Sequence, residues 1–214
     1  LEHDLKHPTK KFRALASGSI NIEQALPFMS FLIILSFALS FMLSNQAVFI
    51  ISLYLTINVF YSNSLKHIPY VDVLCIGSGF MLRILMGTWA INITPSNWLL
   101  LCGTTLSLFL AFSKRKLEMR LYQINKSSFR PVLEKYSNKI LSIFLVLTTL
   151  LTFYSYINYV YFISKVHSKG SWLFITIPLA LLGFIRYSYL IFNNSKYSCP
   201  INLFMHDRWL LLDL

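Results

Sequence analysis

The chain has 214 residues, 56% of them hydrophobic and only 13% charged, with a mean hydropathy of +0.59. Soluble domains carry roughly a quarter charged residues, so this composition excludes a soluble globule and indicates an integral membrane protein. A formal net charge of +11 would suggest nucleic acid in a soluble protein, but here Lys and Arg lie between apolar runs, where they orient membrane spans, and no nucleic-acid partner is expected.

Residues 1–24 are polar and basic, with Pro8 and Gly18 as breakers, and read as a loop. The chain opens on this segment without an initiator Met or a signal-peptide pattern, which suggests a piece of a longer protein. Asn21 followed three residues later by Gln24 resembles a capping box, and Glu23 falls in the first helical turn, where the helix dipole favours an anion. A first span is expected from about Ala25 to Leu43, with Pro27 in its opening turn, then a tight turn at Ser44, Asn45 and Gln46 and a second span from Val48 to about Tyr61.

A third span, Tyr70 to about Ile91, carries Asp72 and Arg83, and a fourth runs from about Ile93 to Phe112. The longest polar connection follows, Ser113 to Lys139, then a fifth span from Ile140 to about Ile163, the short loop VHSKGS, and a sixth from Trp172 to about Phe192. Sixteen of the 19 Lys and Arg fall on the side that holds residues 1–24, Lys66, the 113–139 connection and the segment from Arg186 onward; Lys165 and Lys169 fall on the other. The basic side is therefore expected to be cytoplasmic. Cys75, Cys102 and Cys199 are scattered, with no disulfide or zinc spacing.

Three stretches hold the chemistry-bearing residues. HDLKHPTKKFR combines Asp4 with His7, Lys10, Lys11 and Arg13. Carboxylates that hold Mg²⁺ beside cations that hold phosphate oxygens suit a diphosphate, although a positive-inside loop has the same composition. In YSNSLKHIPYVDVLCIGSGFMLR, Pro69 prevents Lys66 and Asp72 from sharing one regular helix, so Lys66 sits on the approach and Asp72 in the helix's first turn. Arg83 lies three turns beyond Asp72 on the same face, about 16 Å deeper.

No acidic residue lies deep in another predicted span. Arg83 must then pair with backbone carbonyls, a helix absent from this chain or a bound anion, because an unpaired charge at that depth is costly. Gly77, Gly79 and Gly87 read as sites of close helix packing. The third stretch, Lys114, Arg115, Lys116, Glu118 and Arg120, reads either as a phosphate-binding cluster or as a solvated loop against anionic headgroups, and Arg130, Tyr136 and Arg186 share that ambiguity.

Taken in order, D-x-x-HPTK-x-x-R (Asp4 to Arg13), YS-x-x-LKH-x-x-x-x-DV (Tyr61 to Val73), SGF-x-LR (Ser78 to Arg83), KR-x-x-E (Lys114 to Glu118), R-x-x-L-x-x-YS (Arg130 to Ser137) and RY (Arg186, Tyr187) resemble the UbiA superfamily of membrane prenyltransferases, and more closely its decaprenyl-phosphate phosphoribosyltransferase branch. The resemblance implies one membrane-embedded transferase domain over residues 1–214, incomplete at both ends. Its fold would be an all-α polytopic bundle of about nine spans, six of them represented here, at a bacterial inner membrane with the active-site face cytoplasmic.

It further implies transfer of phosphoribose from phosphoribosyl diphosphate to a polyprenyl phosphate, with Mg²⁺ as cofactor. Asp4 and Asp72 would be metal ligands and Lys66 would act in catalysis beside Asp72. His7, Lys10, Lys11, Arg13, Tyr61, Arg83, Lys114, Arg115 and Arg130 would bind substrate. Asp4 matches only the last carboxylate of the family's first Asp-rich motif, and Ala14 stands where the family usually has Pro. This chain alone is therefore expected to be inactive. The alternatives within and beside the family are prenyl transfer to an aromatic or quinone precursor, and an inactive fragment.

Overall fold

The computed structural model describes residues 14, 15, 17–125, 133, 135–166, 170–193, 205 and 207. Within them the chain forms α1 (Ile22–Leu43), α2 (Asn45–Asn63), α3 (Val71–Ala90), α4 (Asn97–Asn125), α5 (Asn138–Val166) and α6 (Thr176–Asn193). Short 3₁₀ turns occupy Leu65–His67 and Gly170–Ile175, and the described residues contain no strand. The all-α architecture that the resemblance implies is the one observed in the described residues.

Of the six expected spans, four are long and apolar enough to cross a membrane: α1, α3, α5 and the run Trp172–Asn193. The other two are more polar, α2 through Asn45, Gln46, Thr56 and Asn58, and α4 through Thr104, Thr105 and Ser107. Their hydroxyls turn back onto their own helices, as Thr104 Oγ1 does on the Leu100 carbonyl at 2.6 Å and Thr56 Oγ1 on that of Ser52 at 2.8 Å. This satisfies polar groups that lipid cannot.

Helix boundaries differ from the expected ones for local reasons. At the start of α1, Gln24 Oε1 accepts from the Asn21 backbone N–H at 3.4 Å, so the capping pair works as read. The helix nevertheless begins at Ile22, which leaves Pro27 beyond the first turn. Between α1 and α2 the chain needs only one extended residue, Ser44, whose Oγ caps the Ala47 N–H at 3.1 Å, while Asn45 and Gln46 are already helical. The largest difference is in α4, which continues helically through Asn125 where a polar loop from Ser113 was expected.

Each helix from α1 to α5 packs against the next in sequence, with α5 most extensively against α4, and α6 against α5 and α4. The core lies around the later half of α4. On one side Ala111 and Phe112 join Val73, Leu133, Tyr136 and Leu141. On the other, Phe109 and Leu117 join Leu145, Tyr187 and Ile191. Phe112 stacks on Phe144 with ring centroids 5.1 Å apart. By contrast α1 buries only Ser40, and its Phe31, Ile34 and Phe41 are exposed, as suits a lipid-facing helix.

Candidate active site

The mouth of α3 is set by the chain before it. Ile68, preceding Pro69, is held extended at φ −100° and ψ 119°, the conformation proline imposes on its predecessor. This separates the Lys66 turn from α3 and places Asp72 in the first helical turn, as expected. Tyr70, the N-cap, has φ +67°, a left-handed conformation that a non-glycine residue adopts only at a cost.

Asp72 is fully buried, with 0% of its surface exposed. Its Oδ2 accepts from Arg115 Nε at 2.6 Å, and its Oδ1 accepts from the Tyr136 hydroxyl. That same hydroxyl accepts from the Tyr70 N–H at 2.9 Å, and the two tyrosine rings meet edge to face at 4.8 Å. Arg115, 1% exposed, donates from a second nitrogen to Glu118. Burial alone would disfavour its charge, but Glu118 and Asp72 outweigh that and hold the guanidinium above its ordinary pKa. Burial, and then the bond to Asp72, pushes the Tyr136 phenol above its ordinary value, so it remains a donor.

Lys116 and Arg120 of the basic cluster on α4 are also turned inward, not solvated as a loop would be. Lys116 donates to Asn138 Oδ1, to the Asn138 carbonyl at 3.3 Å and to Ser142 Oγ at 2.7 Å, with Phe192 beneath its ammonium. Burial, then the charge of Arg120, lowers its pKa. Arg120 donates to the Ile191 carbonyl at 3.0 Å, near the end of α6, and Arg186 pairs with Asp207 at 2.8 Å. Lys66 and Lys114 are half-buried and make no ion pair or hydrogen bond with another described residue.

Arg83 has no carbonyl partner among the described residues. It donates to the Tyr54 hydroxyl at 2.5 Å and lies over the rings of Tyr54 and Phe80, 5.1 and 5.2 Å from their centroids. Although Arg83 and Asp72 share a helix face by spacing, their side chains end against different partners, α2 for Arg83 and α4 for Asp72. Arg83 and Tyr61 line one cavity of about 130 Å³ with Asn58 and Cys75, and Arg83 and Tyr54 also line an apolar groove with Ile50, Ile51, Leu82 and Met86.

The structure thus joins Asp72 to Arg115 and puts Tyr61 and Arg83 on the wall of one cavity. Asp4, His7, Lys10, Lys11, Arg13 and Arg130 lie outside the described residues. Sequence reasoning missed Tyr54 as the partner of Arg83 and Tyr136 as the partner of Asp72. An aromatic one helix away from a deep arginine was a usable signal for Tyr54, whereas the R-x-x-L-x-x-YS motif marked Tyr136 without pointing to Asp72. For Mg²⁺, the described residues contain no group of three His, Cys, Asp or Glu side chains, and both oxygens of Asp72 are engaged by protein donors. The described residues therefore do not assemble the implied metal site.

Residues 1–208 match the UbiA prenyltransferase family. The chain is 32% identical over 192 residues to the decaprenyl-phosphate phosphoribosyltransferase of Corynebacterium glutamicum, covering 88% of this chain and 58% of that protein. It is 32% identical over 141 residues to the protein of the same name from Mycolicibacterium smegmatis, covering 66% and 44%. To that of Mycobacterium tuberculosis it is 27% identical over 212 residues, covering 99% and 69%. The chain spans well under two thirds of the length of the first two.

Proposed function

The chain belongs to the UbiA prenyltransferase family, and from that premise we propose that it transfers phosphoribose from phosphoribosyl diphosphate to a polyprenyl phosphate at the cytoplasmic face of the membrane. The observation that carries this reading is the similarity along 88% of the chain to a relative named decaprenyl-phosphate phosphoribosyltransferase. In the proposed reaction the bond from the ribose anomeric carbon to the diphosphate oxygen breaks, and diphosphate leaves with the electron pair. A phosphate oxygen of the lipid bonds to that carbon. The acceptor phosphate is already ionised near neutrality, so no general base is required.

Charge grows on the departing diphosphate, and cations aimed at that charge lower the barrier. Lys66 and Lys114 suit this role, because their ammonium groups are not committed to other described residues. Tyr61 and Arg83 would meet an anionic or polar substrate group from the α2–α3 side, a role supported by the cavity they both line. The family resemblance implies Mg²⁺ as a cofactor, which when bound would neutralise charge on the diphosphate. Native membranes holding the protein should convert phosphoribosyl diphosphate and polyprenyl phosphate to a ribosylated lipid. A prenylated aromatic product from prenyl diphosphate, with no ribosylated lipid, would overturn the assignment.

A further inference from the structure

We infer that Asp72 is a positioning residue and not a magnesium ligand: it is the hub of a latch that fixes the Lys66-bearing turn against the Lys114-bearing turn of α4. The inference relies on the proposed function only for what the two lysines bind.

The latch is visible as a chain of bonds. Asp72 takes Arg115 of α4 on one oxygen and Tyr136, just before α5, on the other. Tyr136 in turn takes the Tyr70 N–H at 2.9 Å, and the Asp72 N–H returns to the Ile68 carbonyl at 3.3 Å. These bonds bracket Ile68, Pro69 and Tyr70, the residues that set the exit from the Lys66 turn. Tyr70 holds its left-handed φ of +67° with its N–H on Tyr136 and its ring against those of Tyr136 and Phe144. A strained backbone of this kind persists only where its surroundings over-determine it. Arg115 directly follows Lys114, so the Asp72–Arg115 bond also fixes that turn of α4 to the same point.

The same bonds argue against metal ligation. Mg²⁺ demands an octahedron of oxygens and usually keeps several waters. A carboxylate with 0% exposure offers no room for them, and a guanidinium 2.6 Å from one oxygen and a phenol on the other hold the positions a cation would need. Both donors would have to be displaced before a metal could bind.

The experiment is competitive amine labelling of the chain in detergent, read peptide by peptide, for wild type, Asp72→Asn and Tyr136→Phe. Exposed Lys165, at the far end of α5, is the internal reference. An amide at position 72 puts an N–H against one of two donors, and Phe at 136 removes one bond while leaving the carboxylate intact. Both variants should raise Lys66 labelling several-fold relative to Lys165, and both should leave Mn²⁺ affinity in the presence of inorganic pyrophosphate at the wild-type value. Lys66 labelling unchanged in both variants overturns the latch. A loss of Mn²⁺ affinity of about tenfold or more in Asp72→Asn alone, the scale expected when a metal centre loses a group, overturns the exclusion of Asp72 as ligand. Neither arm uses turnover, so a failed transferase assignment leaves both readouts intact.

Discussion

Lys66 and Lys114 are the residues on which the proposed chemistry most depends, and neither is committed to holding the described fold together. Lys66→Ala should therefore lower the transfer rate by about a hundredfold or more, since one preorganised contact to developing charge is worth about 3 to 4 kcal/mol. The thermal midpoint of the variant should stay near wild type, and a parallel fall in rate and midpoint would contradict the assignment. Arg83 is different, because its one described hydrogen bond is to Tyr54. Tyr54→Phe keeps the ring beneath the guanidinium and removes that bond, so it should cost about 1 kcal/mol of stability, measured by thermal unfolding in detergent. The placement of Asp72 was legible from Pro69 and helix-start chemistry. Its partners were not, because they lie 43 and 64 residues away and are chosen by tertiary packing.

At the scale of the helix, α4 shows where a hydropathy reading stops short. Apolarity ends at Phe112 and charge begins at Lys114, which reads as the end of a span, yet the helix runs through Asn125. Its inward cations explain the continuation: Arg115 is met by α3, Lys116 by α5 and Arg120 by α6, so each finds acceptors only if α4 stays helical. Packing by small residues was legible in part. A Cβ on Gly77 would lie 2.7 Å from Leu108 Cδ2 and 3.1 Å from its Cγ, whereas one on Gly79 would meet Tyr54 at an ordinary 3.6 Å and one on Gly87 would meet nothing within 4 Å. Gly77→Ala should thus destabilise by about 1 to 3 kcal/mol through overpacking of the α3–α4 seam. Gly87→Ala should be neutral, or stabilising by up to about 1 kcal/mol through helix propensity. Thermal midpoints of the two variants compared side by side check this, and equal shifts would contradict it.

For the whole molecule, the fold class was legible because lipid leaves the backbone few solutions. The proposed cytoplasmic mouth rests on charge asymmetry, sixteen of the 19 Lys and Arg lying on one side. Cysteines replacing Lys66 and Lys114, in a background lacking the native cysteines, should react with an impermeant reagent applied from the cytoplasmic side. A cysteine at Lys165 should react from the other, and labelling of positions 66 and 114 from opposite sides would contradict a shared mouth. The proposed chemistry is transfer of the sugar phosphate to lipid. It is tested most directly by giving native membranes phosphoribosyl diphosphate labelled with one isotope in its 5-phosphate and another in its diphosphate, together with polyprenyl phosphate and Mg²⁺. The 5-phosphate label should enter the lipid while the other is released as free diphosphate. Both labels in water-soluble products, with none in lipid, would contradict it.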